Sequence, residues 1–117
     1  MKYSDNQLKA LAATNPKELI SILNSPHADV STLTFGAEIL GGEVSDESLT
    51  LPVFRKLMRH VNAVVREGSL IGIEAFYSAE TPPPQDILDK LKAMSNNDPS
   101  LVIKNLSKDL LKEYSIL

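Results

Sequence analysis

The chain has 117 residues, formal charge -3 and 43% hydrophobic residues, which is one domain's length, about 100 to 150 residues, with enough apolar material for a core. Twelve bases against fifteen acids argue against a phosphate-tracking nucleic-acid surface, which needs clustered Lys and Arg. The absence of Cys removes disulfides, thiolate metal sites and Cys nucleophiles and suits a reducing compartment, so the expected location is the cytoplasm. No stretch approaches the roughly 20 apolar residues of a membrane span, and the polar start, Met1 to Asn6, holds no secretory core.

Apolar residues recur three and four apart almost everywhere, so the chain is predicted to be all-α. Ser4 or Asp5 caps a short helix carrying Leu8, Leu11 and Ala12, which ends at Thr14, Asn15 and Pro16. Asn15 then caps a second helix with Pro16 at its first position and a stripe of Leu19, Ile20 and Leu23, ended by Asn24, Ser25 and Pro26. A third starts at Asp29 and carries Val30, Leu33, Ala37 and Leu40, with Gly41 and Gly42 expected to stop it in the left-handed manner. Leu51, Val53, Phe54, Leu57 and Met58 mark a fourth, where Pro52 is acceptable only in the first turn. The stretch Ala63 to Tyr77 is apolar on nearly every side, as expected of a helix surrounded by others. Pro82, Pro83 and Pro84 form a stiff connection rather than a domain boundary. Ile87, Leu88, Leu91 and Met94 mark the sixth helix, and Leu101, Val102, Ile103, Leu106, Leu110 and Leu111 the seventh.

The informative feature is a repeat. Phe35-Gly36-Ala37-Glu38-Ile39-Leu40 and Ile71-Gly72-Ile73-Glu74-Ala75-Phe76 share Gly and Glu in place and apolar character elsewhere. Polar turns inside successive helix pairs recur in the mid-thirties. Val64-Val65-Arg66-Glu67-Gly68-Ser69 and Ala37-Glu38-Ile39-Leu40-Gly41 resemble the signature segments of the HEAT-repeat family, over about residues 15 to 114. Only Arg66 supplies the family's Arg, since Ser31 and Lys104 sit near the equivalent places. The resemblance implies a single domain over residues 1–117. Its form would be a short right-handed α–α superhelix, an armadillo-like solenoid of about three helix pairs plus an N-terminal helix. Gly36, Gly68, Ser69 and Gly72 are then expected where helices approach closely, backbone contact offsetting the cost of glycine in a helix.

The chemistry-bearing residues have simpler readings. His27 and His60 lie at non-equivalent places in their turns, so no metal site is expected. Asp46 and Glu47 suit a helix N-terminus better than general acid–base work. Gly68-Ser69 lacks the spacing of a nucleophile elbow, and no lysine-bearing phosphate loop follows any glycine. Arg55, Lys56, Arg59 and Arg66 are read as a solvated basic face. No catalytic residue and no cofactor are expected.

The family lines one face of its array with the second helices, which implies a partner-contacting set of Thr32, Glu38, Glu67, Ile71 and Glu74. Ile71, apolar among acids, suits either a contact anchor or packing. The expectation is a non-catalytic, monomeric, protein-binding module, its partner basic if the acids steer it. Two alternatives stay open: an accessory subunit of an enzyme, like the HEAT-like proteins that attach bilins, and an inhibitor or immunity protein against a basic partner. A third possibility is a second copy packed on Ile116, Leu117 and the stripe of Leu101, Leu106 and Leu110.

Overall fold

A computed structural model describes residues 2–115, which form seven α-helices and no strand. They group into two compact units, dividing between Phe76 and Tyr77. Ile116 and Leu117 lie outside the described residues.

The first unit holds α1 (Asp5–Thr14), α2 (Pro16–Leu23), α3 (Val30–Glu43), α4 (Glu47–Leu57) and α5 (Ala63–Phe76). Its helix starts follow the capping logic of the sequence. Ser4 and Gln7 form a reciprocal capping box, the Gln7 N–H donating to Ser4 Oγ and the Ser4 N–H to Gln7 Oε1. Asn15 caps α2 with Pro16 in its first turn. Asp29 caps α3, its carboxylate accepting the Thr32 N–H at 2.9 Å. That bond, and then one with the Thr32 hydroxyl, holds the Asp29 carboxyl below the ordinary range. Asp46 caps α4, accepting the Ser48 N–H at 3.0 Å.

Two expectations about breakers fail. The third helix runs through Gly41 and Gly42 to Glu43, and no glycine among the described residues has a positive φ. Pro52 lies inside α4, beyond its first turn. Its side chain is exposed, and the fully buried Val53, Phe54 and Leu57 beside it hold the helix together.

Packing sorts these helices into two layers. The most extensive contact is α3 on α5, with α1 on the other side of α3, while α2 packs on α4 beneath them. The core between the layers is built of Leu8, Leu19, Leu23, Leu40, Phe54, Leu57, Leu70 and Ile73, all fully buried. Phe54 and Phe76 meet edge to face at 6.2 Å.

Glycine makes the α3–α5 contact possible, as the spacing predicts. A Cβ on Gly68 would lie 2.6 Å from the Thr34 carbonyl oxygen; one on Gly72 would strike the Ala37 carbonyl and Phe54; one on Gly41 would strike the backbone of Gly72. These contacts advance together along both helices, so α3 and α5 run parallel. Gly36 belongs elsewhere, facing the Leu23 side chain of α2.

The second unit holds α6 (Gln85–Asn97) and α7 (Leu101–Tyr114), packed on each other. Pro84 is the N-cap of α6 and gives it no side-chain bond, whereas Ser100 caps α7 by accepting the Ile103 N–H. Ile87, Leu91, Met94, Ile103 and Leu110 are buried in this unit.

Candidate functional site

The turn into α5 is built around one cation. Arg66 is buried, and its Nη1 donates to the carbonyls of His60 at 2.8 Å and Val61 at 3.0 Å. Asn62 Oδ1 accepts the Val64 N–H, and His60 Nδ1 accepts the Asn62 N–H. Arg66 therefore does not share a solvated face with Arg55, Lys56 and Arg59, which are exposed on or just after α4. It holds the turn from inside, because a guanidinium can satisfy several carbonyls that a tight turn leaves unpaired.

Outward from this turn lies a face of α3 and α5. Along α3, Phe35, Glu38 and Gly42 are spaced by three and four residues and share one side; along α5, Val64, Glu67, Ile71 and Glu74 do the same. Phe35 is 42% exposed and Val64 51%. Of the large apolar residues exposed among those described, Val30, Phe35, Val61 and Val64 belong to α3, α5 or the turn that leads into α5. Glu38 is half-buried, and its carboxyl is pushed above the ordinary range, first by that burial and then by the like charges of Glu67 and Asp5. Acids of α1 and α5 therefore act on the Glu38 carboxyl of α3.

Of the five residues expected to face a partner, the structure brings four together. Glu38, Glu67 and Ile71 are half-buried and Glu74 is exposed. Thr32 departs from the set: it is fully buried, and its Oγ1 accepts the Tyr3 N–H at 3.0 Å, tying the segment before α1 to α3. It therefore offers no surface. Sequence reasoning missed Phe35, Val64 and Asp5, which the three- and four-residue spacing from Glu38 and Glu67 flags on two of the helices and only the packing of α1 on α3 supplies on the third.

Among the pockets that the described residues line, two lie away from this face. One of about 160 Å³ in the first unit is lined by Leu23, Pro26, Leu33, Lys56, Leu57 and His60, among others. One of about 270 Å³ between α6 and α7 is lined by Gln85, Leu88, Asp89, Lys92, Leu111 and Tyr114, among others. Both fall below the roughly 300–1,000 Å³ of ordinary ligand pockets. Among the described residues no three His, Asp or Glu side chains are grouped to hold a metal ion. Ser69 is buried inside α5, its hydroxyl donating to the Arg66 carbonyl. No described helix is long and apolar enough to cross a membrane. No family model, no curated protein and no solved structure matches the chain.

Proposed function

We propose that the protein is a non-catalytic, protein-binding module of HEAT-like helix pairs, a short right-handed α–α superhelix acting in the cytoplasm as a monomer. Its contact surface is the face of α3 and α5 that carries Phe35, Glu38, Val64, Glu67, Ile71 and Glu74. The observation that carries this reading is that exposed large apolar side chains of the first unit gather on these two helices and the turn between α4 and α5. Scattered exposed apolar residues need no explanation, but a grouped set rimmed by charge is the usual composition of a docking patch.

The repeat reading is supported by the two-layer order of the first unit, odd-numbered helices in one layer and even-numbered in the other, as stacked helix pairs produce. The helices themselves recur unevenly: α4 starts 31 residues after α2 and α5 33 after α3, whereas α6 and α7 each start 38 after α4 and α5. The 36-residue match between Gly36 and Gly72 therefore sets them almost one turn apart along helices of equal length. Both nevertheless face the preceding even-numbered helix, Gly36 through Leu23 and Gly72 through Phe54.

A preformed helical face loses little conformational entropy on association, so a modest patch suffices for binding. The test is site-specific photo-cross-linking from position 35 and, as a control, from position 55 on α4, followed by reconstitution with the purified captured protein. A partner that cross-links from position 35 and binds less tightly to Glu67→Lys/Glu74→Lys supports the reading. A partner that binds this double variant undiminished and cross-links only from position 55 overturns it.

A further inference from the structure

One glycine on this face narrows the chemistry of the partner. Gly36, Gly41, Gly68 and Gly72 each lie against a neighbour that a side chain would strike, but a Cβ on Gly42 would meet nothing within 4 Å. Its φ is not positive either. Neither packing nor backbone geometry asks for glycine there, although glycine weakens a helix by about 0.5–1 kcal/mol relative to alanine. Gly42 follows Glu38 by one turn and Phe35 by two on the same side of α3, so the face includes bare backbone one turn past a carboxylate, in a row that an exposed ring begins.

The charge around it is one-sided. Helices α1, α3 and α5 carry five acids, Asp5, Glu38, Glu43, Glu67 and Glu74, against two bases, Lys9 and Arg66. That layer thus holds a net charge of -3, as much as the whole chain, whose remaining residues balance. Of its two bases, Arg66 is turned inward onto the His60 and Val61 carbonyls. The charged groups that act on Glu38 are both acids.

We infer that this face takes a basic segment of a partner protein, one that interleaves Lys or Arg with a large apolar residue. Its cations lie over Glu38 and Glu67, and its apolar side chain lies over Gly42, one turn past Glu38 and on the same side of α3 as Phe35. The inference rests on the docking-face reading and adds the partner's chemistry and the place of its anchor. Opposite charge draws such a segment in and sets its rate of arrival, while the apolar side chain on bare backbone supplies contact that charge alone does not. An acidic segment meets like charge along the whole layer.

The experiment titrates the full chain with three synthetic 18-residue helical peptides, followed by backbone amide NMR: one of Lys and Leu in amphipathic order, one with Glu in place of Lys, and one with Ala in place of Leu. The Lys/Leu peptide is expected to shift the amides of Phe35, Glu38, Gly42, Glu67 and Ile71. Its affinity should fall at least tenfold in Glu38→Gln/Glu67→Gln and at least fivefold in Gly42→Gln, which folds as well as the parent because the position is open. Glu18→Gln/Glu47→Gln, on the other layer, should change it less than twofold. Equal binding by all variants, or equal binding of the Lys/Ala peptide, overturns the inference by reducing the attraction to diffuse charge. Tight binding of the Glu/Leu peptide to the same amides overturns the basic partner and leaves the docking face standing; no shift on α3 or α5 with any peptide removes both.

Discussion

Gly41 and Gly72 meet backbone to backbone across α3 and α5, so close that a methyl group on the first would fall on the carbonyl of the second. Gly68 against Thr34 and Gly72 against Ala37 extend this seam. Replacing Gly68 or Gly72 by Ala therefore gains about 1 kcal/mol in helix propensity and loses more to a clash with main chain, which cannot rotate away. The net expected loss is about 1–3 kcal/mol for each, read by urea denaturation. Gly42→Ala, with open space around it, is expected to gain up to about 1 kcal/mol. Equal effects at positions 42 and 72 would contradict the seam.

Arg66 provides the second prediction. Arg66→Met keeps the aliphatic stem and removes the guanidinium that bonds the His60 and Val61 carbonyls, so stability is expected to fall by about 2–3 kcal/mol. Faster hydrogen exchange should appear first at the start of α5, in the amides of Val64 and Val65. A loss confined to the other end of α5 would point to another cause.

The pH dependence follows from Glu38. Partial burial, then Glu67 and Asp5, raise its carboxyl pKa in the folded protein, and none of these acts in the unfolded chain. The folded state therefore holds this proton more tightly. Its stabilising contribution is complete below the ordinary carboxylate pKa and is lost as pH rises through the folded value. Glu38→Gln is expected to raise the melting temperature at about pH 7 and to give a shrinking gain as pH falls to about 4. Calorimetry across that range checks this, and a gain that grows on acidification runs against it.

Thr50 is fully buried in α4, and its hydroxyl has no hydrogen-bond partner among the described residues. Thr50→Val keeps the shape and removes a desolvated polar atom, so it is expected to stabilise by about 1 kcal/mol. Ser107 in α7 is buried in the same condition. Thermal denaturation of the Thr50 variant tests this, and a destabilised protein would mean that the hydroxyl is satisfied in solution.

The helices were legible because their starts are written locally. Ser4, Asn15, Asp29, Asp46 and Ser100 each place an acceptor where unpaired N–H groups need one. The close-approach role of Gly68 and Gly72 could also be read, since glycine inside an apolar helix needs a compensating contact. Gly41 was misread as a stop because a glycine pair resembles a helix end until its tertiary neighbour is known. Pro52 was misplaced for a related reason: buried residues around it outweigh a local penalty that sequence alone makes look decisive. The proposed docking face was half legible. The resemblance to HEAT repeats implied Glu38, Glu67, Ile71 and Glu74 together with Thr32, but whether Thr32 points outward depends on the segment before α1, which donates to its hydroxyl from 29 residues away. Arg66 looked like surface charge because its partners are carbonyls, which leave no mark in a sequence.

The bare-backbone seam also fixes a dimension. With main chain against main chain, α3 and α5 cannot draw nearer, and the row bearing Phe35 stands at a set gauge from the row bearing Ile71. As the proposed docking surface it would choose among visitors by width as well as by sign, turning away whatever straddles the two rows too broadly or too narrowly.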